Sequence, residues 1–371
     1  MPGIIAYQGK KKIPPHRFMS RIRHRPEQQT FAFEGISGSS NIFLSVTTVN
    51  SAQFSREHYF FESERAVVLL YGNTFAMDNP QKRITAKEIE RRFYGRSKHC
   101  IDSVDGDFSI VIYEKEPGTI HIFADRWGFR PLYYFNGTDF LVSSEVKPFY
   151  EITSALDESF LFLFLNLKRI LPGDRTILKD VKKLPPGHYY SNASQGGAMV
   201  DYREKYPRII TKQISAVDID NFLEKYIWVV NNQLNHMAKI GISLSGGLDS
   251  RFLLAALDSK QRQKVIAYSY GISNNEDSLL AERVARVAGV KFEFHPLLPG
   301  DFLRNAAKAI YLTDGMDLFV QGAAVQAYEK INNRINITLH GVGLEFFYGG
   351  WLLENKLMKL GNERELQHYL L

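Results

Sequence analysis

Between residues 242 and 251 the sequence reads Ile-Ser-Leu-Ser-Gly-Gly-Leu-Asp-Ser-Arg. Two adjacent glycines, Gly246 and Gly247, lack Cβ atoms, so their backbone N–H groups can close on an anion. Ser245 and Ser250 add hydroxyl donors. Asp249 brings a carboxylate, which a phosphate site needs only where a metal ion offsets the charge. The chemistry implied is the binding of a metal-complexed phosphate chain. It is not the common nucleotide loop, because no G-x-x-x-x-G-K-[ST] run is present and no lysine follows the glycines.

The neighbouring residues show what must hold this turn. Ile240, Ile242 and Leu244 alternate, as in a strand, whereas Leu248, Phe252 and Ala255 recur at helical spacing. A strand therefore turns through Ser245-Gly246-Gly247 into a helix N-terminus, where the helix dipole and unpaired amides favour an anion. Strand and helix patterns alternate downstream: strands over 265–270, 292–295 and 335–340, and helices over 277–288 and 321–330. That alternation predicts a parallel sheet with right-handed crossovers. Its ligand would bind at the carboxyl ends of the strands, where 245–250 falls.

The first half reads differently. Short β-branched and aromatic runs cover 3–7, 42–47, 66–71, 108–113, 120–124 and 139–142. Thr85 and Glu88 form a capping-box pattern for one helix, and a second starts near Asp157. The boundary between the halves is expected within 190–215.

The 371 residues suffice for two ordinary domains. No apolar run reaches the roughly 18 residues of a membrane span. With the basic, non-secretory pattern of the first residues and a single cysteine, Cys100, the expectation is a cytoplasmic protein without disulfides. The net charge of +6 is mild, and the basic clusters lack interleaved aromatics, so no nucleic-acid or membrane partner is expected.

The order S-G-G-x-D-S resembles the pyrophosphate loop of the ATP pyrophosphatases. Upstream, Met1-Pro2-Gly3-Ile4-Ile5, Asp105-Gly106-Asp107-Phe108, the run from Ala124 to Tyr134, Ser143-Ser144-Glu145-Val146-Lys147 and Leu184-Pro185-Pro186-Gly187-His188 resemble class II glutamine amidotransferase domains. Together they resemble asparagine synthetase and its relatives, which include β-lactam synthetases and lasso-peptide cyclases. The resemblance implies an α+β N-terminal four-layer sandwich of the Ntn type over 1–200. It implies an α/β parallel-sheet ATP pyrophosphatase domain over 201–371, one that adenylates a carboxylate and lets an amine displace AMP. It also implies ATP contacts at Leu244, Ser245, Gly246, Gly247, Asp249, Ser250 and Tyr270, and Mg2+ held by Asp249 and Glu345.

The departures are as specific as the matches. Where glutaminases carry an N-terminal cysteine nucleophile stands Pro2, and the Asn-Gly donor pair for the oxyanion has become Tyr71-Gly72. No counterpart of the arginine that holds the glutamine carboxylate is found. Val342 and Phe346 replace acidic positions in the second phosphate motif. The family continues past this point with a helical stretch carrying a lysine, so the synthetase domain is expected to be incomplete here, with Lys356 and Lys359 as solvated charges. Asp277 aligns with an acidic family position and reads as a helix N-terminal carboxylate rather than a ligand.

The reading is an ATP-dependent, AMP-forming amide ligase taking ammonia or a substrate amine, not glutamine, with a small-molecule or peptide carboxylate as the other substrate. A homodimer or a second chain would complete the synthetase domain. The alternative is a catalytically degenerate nucleotide-binding or scaffold protein.

Overall fold

In the strand Ala66–Ala76, Val67 and Leu69 point to one side and Val68 and Leu70 to the other, and all four are fully buried. A strand buried on both faces needs a layer on each side. The computed structural model supplies both; it describes residues 3–26, 28–49, 55–167, 173–193, 197–202, 215–273, 275–317 and 322–341. The chain forms two units: Met1–Ala216 with Ala306–Gly322, and Val217–Asn305 with Ala323–Leu371.

The strands of the first unit are β1 (Gly3–Gly9), β2 (Gln28–Ser37), β3 (Ser40–Val49), β4 (Phe60–Glu62), β5 (Ala66–Ala76), β6 (Asn79–Arg83), β7 (Val104–Glu114), β8 (Thr119–Ala124), β9 (Tyr133–Asn136), β10 (Phe140–Ser143), β11 (Lys182–Lys183), β12 (His188–Ser191) and β13 (Ala198–Asp201). Its helices are α1 (Pro15–Ile22), α2 (Arg56–Tyr59), α3 (Ala86–Arg96) and α4 (Glu158–Leu167). Among the described residues, one antiparallel sheet runs β11-β9-β10-β1-β3-β2 and the other β13-β12-β8-β7-β5-β4, with β6 beside β5. Their inner faces share a core that includes Ile4, Leu44, Val46, Val67, Leu69, Ile122 and Val142. Ile89 and Phe93 of α3 pack on the outer face of the second sheet, with Val68, Leu70 and Ile110. Phe18 and Ile22 of α1 cover the other sheet, with Ile5, Tyr7 and Phe43. Helix, sheet, sheet, helix is the four-layer α+β sandwich expected. The Thr85 hydroxyl accepts from Glu88 N at 3.2 Å, the N-cap that the sequence pattern predicts.

The excursion 306–322, which lies within the second domain on sequence grounds, belongs to this first unit. Asp314 pins it. Its backbone is left-handed at φ 56°, and its carboxylate accepts from Val146 N at 2.8 Å and Lys147 Nζ at 2.7 Å. Lys147 Nζ also lies 2.6 Å from Glu145 Oε2, and Glu145 Oε1 lies 2.7 Å from His24 Nε2. All four side chains are buried. Burial disfavours the Lys147 ammonium, yet Asp314 and Glu145 together outweigh it and raise its pKa. Two carboxylates share that one ammonium, so burial still pushes the Asp314 carboxyl up.

The second unit begins with α5 (Ala216–Gln233) and continues β14 (Ile240–Ser243), α6 (Leu248–Ala255), α7 (Ser259–Arg262), β15 (Val265–Gly271), α8 (Glu276–Ala288) and β16 (Lys291–Pro296). Next come α9 (Asp301–Leu312), whose later residues lie in the first unit, then α10 (Gly322–Ile331) and β17 (Ile337–Leu339). The sheet runs β16-β15-β14-β17, and every pairing is parallel. Asn275 caps α8 by accepting from Ser278 N at 2.7 Å, and Gly289 ends it at φ 69°. Among the described residues, no helix is long and apolar enough to cross a membrane.

Candidate active site

From β14 the chain crosses to β15 on one side, and later returns to β17 on the other. The loops leaving β14 and β17 therefore part at a topological switch point, the standard place for a ligand in such sheets. Leu244 still follows strand geometry, with its N–H donating to Tyr268 O at 2.9 Å. Ser245, Gly246 and Gly247 then turn the chain, and Gly247 is the N-cap of α6 with no side-chain cap of its own.

Each amide of the turn has a partner. Ser245 N donates to Ser250 Oγ at 3.1 Å, Gly247 N to Ser245 Oγ at 3.1 Å, and Gly246 N to Asp277 Oδ1 at 3.0 Å. Ser250 is buried, and its hydroxyl bonds within the turn. It pins the turn's shape, which the sequence reading had not assigned to it. Asp249 sits in the first turn of α6, half-buried, and no hydrogen bond or ion pair joins its carboxylate to another described residue.

Gly341 is demanded by space, and Gly246 leaves room for the Asp277 carboxylate. A Cβ on Gly246 would lie 2.5 Å from Asp277 Oδ1 and 3.2 Å from Leu280. A Cβ on Gly341, just past β17, would lie 2.7 Å from Ser250 N and 2.8 Å from Asp249 C. The β17 exit thus abuts the first turn of α6, bringing Gly341 against Asp249 and Ser250. A turn whose wall a single methyl would fill, beside a carboxylate without a partner among the described residues, fits a phosphate chain carrying a divalent cation. Glu345, the other carboxylate expected on the metal, lies outside the described residues.

Tyr270, the penultimate residue of β15, lies opposite His295 of β16. Its ring meets Tyr328 of α10 at 6.4 Å, and Tyr328 meets His340 at 6.2 Å. Burial raises the Tyr270 hydroxyl and lowers the His340 imidazole. His295 is buried with its Nε2 unpartnered among the described residues; burial lowers its pKa, helped by the Lys330 charge. The ring cluster escaped the sequence reading, since Tyr328 and His340 are 12 residues apart and joined only by the return of the chain to β17.

In the first unit, the position of the oxyanion donor pair holds Tyr71 and Gly72. Tyr71 is buried, and its hydroxyl accepts from Arg130 Nη1 at 3.3 Å. Arg130 Nε donates in turn to Asp107 Oδ2 at 2.7 Å. Gly72 has φ 116°, and a Cβ there would strike Asp107 O. The glycine of the donor pair thus keeps its special backbone, while its partner position holds a buried phenol tied to an arginine. Cys100 is buried too, and burial pushes its thiol up to about 12, which leaves almost no thiolate at neutral pH. Pro2 lies outside the described residues.

A sandwich of this type is followed by a parallel sheet with a glycine-rich strand–turn–helix at its switch point. Comparison with known proteins agrees. Residues 89–206 match the glutamine amidotransferase domain, and residues 222–363 match asparagine synthase. A putative glutamine-hydrolysing asparagine synthetase of Methanocaldococcus jannaschii is 25% identical over 277 residues, 73% of this chain and 49% of that protein. Asparagine synthetase 1 of Bacillus subtilis is 21% identical over 83% of this chain and 48% of its own. The Brassica oleracea enzyme is 23% identical over 96% and 61% respectively. Both matches and all three relatives make the chain similar to the asparagine synthetase-like family. It spans about half the length of the first two of these relatives.

Proposed function

We propose that this chain is an ATP-dependent, AMP-forming amide-bond ligase that takes its nitrogen from ammonia or a substrate amine rather than from glutamine. The observation that carries the ligase reading is the turn at the switch point. Gly341 closes its wall, since a Cβ there would lie 2.7 Å from Ser250 N, and Asp249 in the first turn of α6 has no hydrogen-bond or ion-pair partner among the described residues.

In this reading a substrate carboxylate oxygen attacks the α-phosphorus of ATP. The bond to the bridging oxygen breaks, and pyrophosphate leaves with its electron pair. The turn amides and the α6 N-terminus hold the leaving pyrophosphate, trading their internal partners for its oxygens. A magnesium ion on Asp249 and Glu345 would neutralise the charge gathering there. The amine then adds to the acyl carbon, and AMP leaves with the carbon–oxygen bonding pair. Leu244 and Tyr270 would flank the adenine.

The case against glutamine rests on residue types. Pro2 carries no thiol, the Cys100 thiol is buried and protonated, and Tyr71 replaces a side-chain amide donor with a phenol already bound to Arg130. The test is AMP formation from ATP with a panel of carboxylates, run with ammonia, with linked amines, and with glutamine. Support would be AMP formed with ammonia or an amine and none beyond background with glutamine. Glutamine serving as well as ammonia would refute the nitrogen source. Tight ATP binding with no AMP under any condition would favour the degenerate scaffold instead.

A further inference from the structure

Asn275 already caps α8, so the carboxylate of Asp277 two residues later is not needed by its own helix. It reaches instead to the phosphate turn 31 residues earlier in sequence, accepting from Gly246 N at 3.0 Å. The absence of a Cβ on Gly246 is what admits it, since a methyl there would lie 2.5 Å from Asp277 Oδ1. A carboxylate oxygen on that amide stands where an oxygen of a bound phosphate would sit. Asp277 is exposed, so swinging it away exposes no apolar surface and leaves the ion hydrated.

We propose that Asp277 is a specificity-determining residue of the phosphate turn, competing for the Gly246 amide so that cation-complexed ATP is admitted and the metal-free anion is rejected. The inference rests on the phosphate-turn reading above. Asp249 and Asp277 place two negative side chains on one short anion-binding turn. A bare polyphosphate must approach both carboxylates and displace one, against like-charge repulsion. A polyphosphate carrying a divalent cation brings the compensating charge with it, and the displaced carboxylate can turn toward that cation. The turn thus reads the metal as well as the phosphate.

The experiment titrates inorganic pyrophosphate and ATP into the parent, Asp277→Asn and Asp249→Asn, each with magnesium and with chelator, by calorimetry. Asp277→Asn keeps a carbonyl oxygen for the Gly246 N–H and removes only the charge. Metal-free pyrophosphate should bind it on the order of tenfold more tightly than the parent, so the preference for the magnesium form shrinks by a similar factor. Asp249→Asn should instead weaken the magnesium form. Metal-free affinity unchanged or reduced in Asp277→Asn, with magnesium-ATP binding intact, would make the carboxylate a structural tie and overturn the proposal. Loss of magnesium-ATP binding without a metal-free gain would make it a metal ligand and also overturn it. If the parent itself binds no magnesium-ATP, the phosphate-turn reading fails first, which is a separate result. Should Asp277→Asn melt below the parent, Asp277→Ser, which also removes the charge, carries the same comparison.

Discussion

Gly341→Ala adds one methyl group where the chain leaves β17, and its consequences can be worked out from contacts. The new Cβ would stand 2.7 Å from Ser250 N, 2.8 Å from Asp249 C and 2.9 Å from Asp249 Cβ. Two of these atoms are backbone, so no side chain can rotate aside. Relief needs the first turn of α6 or the β17 exit to move by roughly half an ångström, an overpacking strain of about 1–3 kcal/mol. The moving part carries Asp249 and the pinned Ser250, so the phosphate turn should distort more than the fold does. Where the bound turn must recover the parent shape, that strain opposes binding, so a loss of roughly tenfold in magnesium-ATP affinity is expected. Calorimetric titration beside a thermal melt separates the two effects. Gly95→Ala is the control: a Cβ there meets nothing within 4 Å, and replacing a helical glycine should stabilise by about 0.5–1 kcal/mol. Parent-like ATP affinity in folded Gly341→Ala would refute the claim that the β17 exit and the α6 turn form one site.

Other outcomes follow from the same structure. Lys147→Met leaves Glu145 and Asp314 buried without their ammonium and should cost about 3–5 kcal/mol, with part recovered by adding Asp314→Asn; chemical denaturation of the three variants measures it. His58 is held neutral by burial, then by the Arg83 charge, with its pKa down from 6.5 to about 4. Because the folded value lies below the unfolded one, its contribution is complete above pH 6.5 and is lost as pH falls from 6.5 to 4. That loss is on the order of 3 kcal/mol, and His58→Phe should flatten that part of the stability profile. Asp249→Asn should weaken ATP binding in magnesium and leave the metal-free affinity the same or tighter, read by calorimetry. Purified protein should release no ammonia from glutamine, and Pro2→Cys alone should not change this, because Tyr71 and the carboxylate-binding position still differ; glutamate formation above a heat-killed control checks it.

The strands that announce themselves in sequence are those with a strong period. β1, β3, β5, β7 and β8 are β-branched, buried runs, and each covers a run assigned from pattern alone. β2 was missed, because its residues are mostly half-buried or exposed and its period-two contrast is weak. The short α1 and the helices α5 and α9 were likewise unassigned. The strand–turn–helix at Ser245 to Gly247 was legible because its signal is local: two glycines, a strand before and a helix after. Asp277 was placed correctly on its helix, but its bond to Gly246 could not be read, since two helices must first dock. The Lys147–Asp314 clamp spans 167 residues. Nothing near Asp314 marks it, except that a left-handed non-glycine backbone at φ 56° becomes explicable once its carboxylate is seen bonded.

The most direct measurement is exchange of labelled pyrophosphate into ATP, across a panel of carboxylates, with the parent and Asp249→Asn. Exchange requires the carboxylate to be adenylated reversibly at the turn. The account predicts label in ATP that depends on both a carboxylate and magnesium and falls sharply in Asp249→Asn. Exchange undiminished in Asp249→Asn, or ATP bound tightly with no exchange and cleaved only to ADP and phosphate, would contradict it.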